Sequence, residues 1–378
     1  MRIRLFAAVA ATGVSLAACS AGSSTTPAPT GTTSAPAPPA PTRVGGISVD
    51  LVRPSAQPVE LAEAIRPLEV TYTYGGGRYT LRDYLTRSQA NGFLVLDGRT
   101  IVAERYVRAD RGTRFQSWSV AKSITSAAVG VALQEGRIRS IDDPVTRYLP
   151  ELRGSGYAGV SVRDLLRMSS GIAWDERRDV PRTHLDAAGG RSLSRIAARQ
   201  VRGWTPGTRF EYTSMNSFVL SMLIHRVTGM PYHAYVESRI WRPAGMESTV
   251  QIGNDAHGES LGYCCFFATA RDYARFGLLY LNEGKAHGRQ VVPRSWITLS
   301  TKPSAPFNQN YGLHWWLGDG GQGDFMAAGL GGQYVYVSPR HGVVIVKTTQ
   351  RATGNGHHLQ GESLAAFRAV AAEVARTR

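Results

Sequence analysis

The 378-residue chain reads as an α/β protein of the α+β kind: one antiparallel sheet made by strands from both ends of the folded part, flanked by helices, with a mostly helical lobe inserted between them. Three observations carry that expectation. Residues 92–107, GFLVLDGRTIVAERYV, form two β-rich runs about the turn Asp97-Gly98, as in a hairpin. From there to about residue 300 the apolar spacing is helical. At 325–349, FMAAGLGGQYVYVSPRHGVVIVKTT, strand patterning returns.

Taken in order, the chain opens with processing information. Arg2 and Arg4 precede an apolar run from Leu5 to Leu16 that ends in LAAC at Leu16–Cys19. A basic start, a short apolar run and small residues at its end make a secretory signal, and the run is too short to span a bilayer. The LAAC box resembles the lipobox of bacterial lipoproteins, which implies cleavage before Cys19 and a lipid on its sulfur. Residues 1–18 are then the signal. Residues 19–44, rich in Pro, Ser, Thr and Ala, are a flexible tether that cannot bury enough surface to offset its chain entropy. Residues 45–378 form the folded domain, with the helical lobe at about 137–300. Such a protein is exported and held at the outer face of the cell membrane.

Within the domain, a helix is expected from Ser119 to Gln134, stopped by Gly136, with Val120, Ile124, Ala127, Ala128 and Val131 at helical spacing. VRDLLRM, NSFVLSMLIHRVTG and ATARDYARFGLLYLNEG continue the helical pattern, and ESLAAFRAVAAEVAR closes the chain as an amphipathic helix.

The formal charge of +15 falls by two when the signal leaves, and the excess favours polyanions. For an exported chain with no nucleic-acid-binding motif, the attractors are anionic lipid heads or cell-envelope polymers rather than nucleic acid. After Cys19 only Cys264 and Cys265 remain. Adjacent cysteines rarely bond to each other, so both are expected as small buried hydrophobes, with a catalytic thiol as the alternative. No HExxH, CxxC or EF-loop pattern occurs among the histidines, and His357-His358 reads as a solvated turn. Neither a metal nor an organic cofactor is expected.

Three segments carry candidate chemistry. In FQSWSVAKSI, Ser119 and Lys122 lie three apart on one helix face, in the first turn, where unpaired N–H groups and the positive end of the dipole stabilise an oxyanion and oppose an ammonium. A lysine pushed toward neutrality can take the serine proton. Taken alone, S-x-x-K reads better as a serine N-cap followed by a snorkelling lysine. The choice of lysine is informative, because only 4 of the 43 basic residues are lysines and an arginine could not act as a base. In PGTRFEYTSMNSFVL, Tyr212, Ser214 and Asn216 alternate, so an extended segment would point all three the same way. A phenol there can pass the proton to the leaving group if a cation lowers its pKa; the alternative is a packed tyrosine before a helix. In GLGGQYVYV, three glycines beside a β-rich run suggest a strand edge that a substrate carbonyl can approach, or a turn leading into a core strand.

These segments, with VRDLLRMSSGI, IWRPAGM and ATARDYARFG, resemble the serine β-lactamase and penicillin-binding-protein superfamily from about residue 80 to the end. SWSVAKS and the Y-x-S-x-N motif look most like the class C-like esterases and the 6-aminohexanoate-dimer hydrolases. The resemblance implies that Ser119 is the acylated nucleophile, Lys122 its base, Tyr212 a second proton carrier, and the N–H groups of Ser119 and Gln333 an oxyanion hole. Trp174, Ser214, Asn216, Leu330, Gly331 and Gly332 would face the substrate, a small ester or amide. Leu330 stands where lactamases and penicillin-binding proteins carry a Lys or His that grips a carboxylate, which disfavours β-lactams and D-alanyl peptides. Residues 170–190 fall where the nylon-oligomer enzymes have a substrate-covering loop, and Trp174 falls at their assisting tyrosine. Cys264 and Cys265 replace two glycines. The aromatics of YGLHWWLG line an acyl pocket or belong to the core. D-alanyl carboxypeptidase or β-lactamase activity, and a non-catalytic sensor on the same fold, stay open as alternatives.

Overall fold

Alternation decides the main sheet. In Gly92–Asp97, Gln333–Ser338 and Val343–Thr348, Leu94, Leu96, Val335, Val337, Val344 and Val346 enter one core, while Phe93, Val95, Tyr334, Tyr336, Val343 and Ile345 enter another. Strands buried on both faces need cover on both sides. The helices Leu81–Arg87 and Gln360–Arg376 cover the second core, and the helix Ala270–Leu281 with the rest of the chain covers the first. Gly277 lets that last helix approach closely, since a Cβ there would lie 2.5 Å from Val344 Cγ1.

The computed structural model describes residues 43–44, 46–350 and 360–378. Its seven-stranded sheet runs in the order Trp316–Leu317, Phe325–Gly329, Gln333–Ser338, Val343–Thr348, Gly92–Asp97, Thr100–Tyr106, Ala62–Glu63. All pairings are antiparallel except the last, which is parallel. The expected hairpin about Asp97-Gly98 is present, and so is the sheet built from both ends of the domain: Val346 lies opposite Leu94. The helices fall at Val120–Gln134, Val162–Leu166, Ser214–Thr228, Ala270–Leu281 and Gln360–Arg376. Gly136 and Gly229, at φ 69° and 68°, stand just past two of them in the left-handed conformation expected of helix stops.

Two features depart from expectation. Besides the one sheet expected, Val250–Asn254 and Phe266–Ala268 of the mostly helical lobe join Arg43–Val44, Ile47–Val52 and Phe115–Gln116 in a second, five-stranded sheet. The stretch 170–190 is not a loop but mainly the helix Glu176–Ala188, whose N-cap Asp175 accepts from the N–H groups of Arg177 and Arg178. The signal, the lipidation residue Cys19, most of the tether and His357-His358 lie outside the described residues. Among the described residues, no helix is long and apolar enough to cross a membrane.

Candidate active site

The strand Phe115–Gln116 leads directly into the turn that carries Ser119. Ser117 ties that turn to the neighbouring strand by donating its N–H to Phe266 O (2.7 Å) and accepting from Phe266 N–H on its hydroxyl (3.1 Å). Trp118 then takes φ +44°, an uncommon conformation for a bulky residue, and the chain enters the helix at Ser119. That helix is the buried axis of the domain. Ser123 and Ser126 donate to the carbonyls of His314 and Leu313 (2.7 and 2.8 Å), and Thr125 donates to Gly262 O (2.6 Å). Short polar side chains thus rivet the helix to two loops, and Gly130 leaves room for Trp296.

The Ser119 side chain makes no capping bond to its own helix. Its Oγ lies 2.7 Å from Lys122 Nζ, and the Tyr212 phenol lies close enough for Ser119 to pull weakly against the rise of its pKa. Lys122, 1% exposed, donates a second bond to Tyr263 O at 3.1 Å. Burial lowers its pKa to about 8, against a smaller upward pull from the Glu176 carboxylate. This is the arrangement a lysine base needs. The expectation that a cation lowers the tyrosine's pKa is overturned: burial, and then Glu176, push the Tyr212 phenol well above its ordinary value. Lys122 sits over the phenol ring, 4.9 Å from its centroid, where it favours the π-face rather than the ionised oxygen. Tyr212 is therefore a neutral donor and acceptor. Its ring stacks on Trp316 (5.6 Å) and meets Tyr311 edge-on, so YGLHWWLG divides: Trp316 supports the site, while Trp315 packs in the core with Phe276, Tyr280 and Phe325.

The glycine segment is a hairpin turn rather than a continuous strand. Gly329 ends one strand, Gln333 opens the next opposite it, and Leu330, Gly331 and Gly332 make the connection, both glycines at positive φ. Gly329 packs against the Ser117–Ser119 turn so closely that a Cβ would lie 2.5 Å from Ser117 O and 3.1 Å from Ser119 N. The Gln333 side chain is turned away from any substrate role: it donates to Thr349 O (2.7 Å) and accepts from Thr349 N–H (3.1 Å), which fixes the strand start beside Ser119.

The remaining expected residues separate. The helix begins at Ser214, so Tyr212, Ser214 and Asn216 do not share one face. Asn216 is fully buried, with its amide oxygen on Tyr157 OH (3.3 Å), and belongs to the core rather than the substrate face. Ser214 and Trp174 converge on a residue that the sequence reading missed, Glu176. Its carboxylate accepts from Ser214 N–H (2.9 Å), Ser214 Oγ and Trp174 Nε1 (2.6 Å). A carboxylate two residues from Trp174, at the start of a helix, was the only available signal. The cysteines also correct the reading: Cys264 and Cys265 are joined by a disulfide, not free. Cys265 has φ +69°, an unusual turn within this pair.

A family model for β-lactamases matches residues 78–369. The chain belongs to the β-lactamase family. It is a serine hydrolase of that superfamily, and the curated 6-aminohexanoate-dimer hydrolase of Paenarthrobacter ureafaciens is 31% identical to it over 306 residues, 74% of this chain and 78% of the relative. Protein flp of Staphylococcus aureus strain N315 matches more narrowly, at 26% over 166 residues, 42% of this chain and 33% of that one. Among solved structures, a candidate 6-aminohexanoate-dimer hydrolase from Bacillus anthracis superposes with a TM-score of 0.79 at 22% identity, covering 88% of this chain and 92% of that one. EstCE1, described as a hydrolase with promiscuous acyltransferase activity, superposes at 0.61 and 16%, covering 78% and 96%. At these identities the superpositions speak for the fold, which is the α+β architecture expected.

Proposed function

We propose that this hydrolase cleaves a carboxylic ester or small amide through an acyl-enzyme on Ser119. The observation that carries the reading is the 2.7 Å contact between Ser119 Oγ and a buried lysine whose pKa is lowered to about 8. Neutral Lys122 accepts the Oγ proton as Oγ attacks the carbonyl carbon. The charge that develops on the carbonyl oxygen is met by the backbone N–H groups of Ser119 and Gln333. Tyr212, whose ring lies 4.9 Å from Lys122 Nζ, carries the proton from Lys122 to the departing alcohol or amine, and water then releases the acid by the reverse relay. Glu176 and Trp174 wall the site beside Ser214 and hold the second motif in place. Leu330 offers no charge for a carboxylate, which favours uncharged acyl groups over D-alanyl peptides and β-lactams. Hydrolysis of the 6-aminohexanoate dimer, the reaction named for the Paenarthrobacter relative, would be a narrower case of the same mechanism.

The LAAC box supports a further part of the reading: an exported protein, lipid-anchored through Cys19 to the outer face of the membrane, its positive charge drawn to anionic envelope polymers. Globomycin-sensitive processing and loss of membrane association in Cys19→Ala would test it.

The test of the reaction is hydrolysis of p-nitrophenyl butyrate by a soluble chain starting near Arg43, beside its Ser119→Ala variant, with fluorophosphonate labelling of both. Activity and label in the first and neither in the second are expected. Equal rates, or no label in a folded chain, would overturn the assignment, and turnover of a chromogenic cephalosporin instead would move it to the β-lactam class.

A further inference from the structure

Behind Lys122 lies a cluster that the hydrolytic mechanism does not use. His184, on the helix Glu176–Ala188, points its Nε2 at both sulfurs of the adjacent cysteines, 3.3 Å from Cys264 Sγ and 3.6 Å from Cys265 Sγ. Its other nitrogen, Nδ1, lies 3.0 Å from Val180 O. A carbonyl can only accept, so Nδ1 carries the hydrogen and Nε2 presents a lone pair to the sulfurs. That arrangement, a ring oriented through the nitrogen not used for binding, is how proteins prepare a histidine to hold a metal. Trp118 and Tyr263 pack against the ring at 5.7 and 5.4 Å, fixing it from two sides. The three possible ligand atoms lie within 4.8 Å of one another. The cysteines are 2% and 0% exposed, and His184 is part-buried.

We propose that His184, Cys264 and Cys265 form a redox-gated site for one soft d10 cation, closed while the disulfide stands and open once a dithiol reduces it. Reduction transfers two electrons and two protons from the dithiol to the Cys264–Cys265 bond, giving two thiols and the oxidised, disulfide form of the reductant. The cation then displaces both thiol protons, binds two thiolates and the His184 imidazole, and keeps a fourth position for water. Two thiolates and an imidazole suit zinc, cadmium or copper(I) and not a hard ion.

Occupation reaches the nucleophile through a short path. Tyr263, the residue before Cys264, supplies the carbonyl that holds Lys122 Nζ at 3.1 Å. Two thiolates on one ion stand farther apart than two bonded sulfurs, so the Tyr263 carbonyl must move as the metal enters. This second half rests on the Ser119 reading; the binding does not.

The experiment titrates Cd²⁺ into the soluble chain before and after treatment with dithiothreitol and anaerobic desalting. It follows the ultraviolet thiolate-to-cadmium band and the stoichiometry by equilibrium dialysis, with circular dichroism as the check on folding. One Cd²⁺ per reduced chain is expected, none per oxidised chain, at least ~tenfold weaker binding in His184→Gln, and unchanged binding in Ser119→Ala, whose hydrolysis is absent for its own reason. Cys264→Ser/Cys265→Ser should lose the band; if it does not fold, His184→Gln carries the same test. A reduced, folded chain that takes up no more Cd²⁺ than the oxidised one overturns the site, as does His184→Gln binding like the parent. Esterase activity should fall at least ~tenfold on saturation, in line with the cost of misplacing a base. Saturation with full activity would overturn the inhibitory half.

Discussion

If Lys122 is the base, the pH dependence of acylation follows from its burial. With its pKa lowered to about 8, about one lysine in ten is neutral at pH 7, against about three in ten thousand at the ordinary value of 10.5. Burial therefore multiplies the reactive form several hundredfold, equivalent to about 3 kcal/mol. Below pH 8 the base is protonated, so kcat/KM should fall tenfold per unit; above it, the rate should level off. Glu176 raises the lysine's pKa, so Glu176→Gln should move the midpoint to lower pH. The assay is kcat/KM for p-nitrophenyl butyrate from pH 5.5 to 9.5, corrected for spontaneous hydrolysis, for the parent, Glu176→Gln and Lys122→Arg. Lys122→Arg should lose on the order of 10³-fold or more at every pH, since a guanidinium cannot accept the proton. A flat profile across this range, or a Lys122→Arg variant with a tenth of the parent rate, would refute the assignment.

The same burial costs stability. Folding suppresses proton binding by Lys122 between about pH 8 and 10.5, so stability should rise with pH across that window. Lys122→Met should abolish activity yet raise stability at pH 7 by about 1–2 kcal/mol, after the two lost hydrogen bonds are counted; urea melts measure it. His314, buried with its pKa lowered to about 3, acts in the same direction at lower pH. The unfolded chain binds its proton below about pH 6.5 and the folded one does not. Stability should therefore fall by up to about 1.4 kcal/mol per unit as pH drops from 6.5 toward 3, with a shallower fall in His314→Gln. Gly329→Ala, whose Cβ would press on Ser117 O at 2.5 Å, should displace the nucleophile turn and cost about 10- to 100-fold in kcat/KM with little change in KM. Slowed fluorophosphonate labelling would report the same displacement, and a parent-like rate would show that the turn yields freely.

What was legible in the sequence was what local pattern carries. Asp97-Gly98 between alternating runs, the helical spacing from Val120 to Val131 and the lone lysine at 122 each speak through neighbours within a few residues. What was not legible is held by distant partners. Phe115–Gln116 and Phe266–Ala268 are too short to show a period, and Val250–Asn254 is buried on both faces and shows no alternation. The helix Glu176–Ala188 was hidden by Pro181 and its charges. Asn216 was misread because a period of two was applied across a helix start. Glu176 gains its meaning only where remote segments meet, whereas the Cys264–Cys265 bond joins neighbours and was set aside because adjacent cysteines rarely pair.

The closeness of Gly329 to Ser119 N has a consequence for when the protein becomes reactive. The strand ending at Gly329 belongs to a sheet whose middle joins Val343–Thr348 to Gly92–Asp97, partners about 250 positions apart. Such distant pairing is slow, because a long loop must close before any contact rewards it. A chain emerging from its N-terminus delivers Ser119 and Lys122 early and their supporting strands last. On the proposed reading, an unfinished chain would carry Ser119 and Lys122 without the strands that flank them, and would be inert. Synthesis from the N-terminus would then act as a safety catch, released only when the strands at 325–348 have arrived.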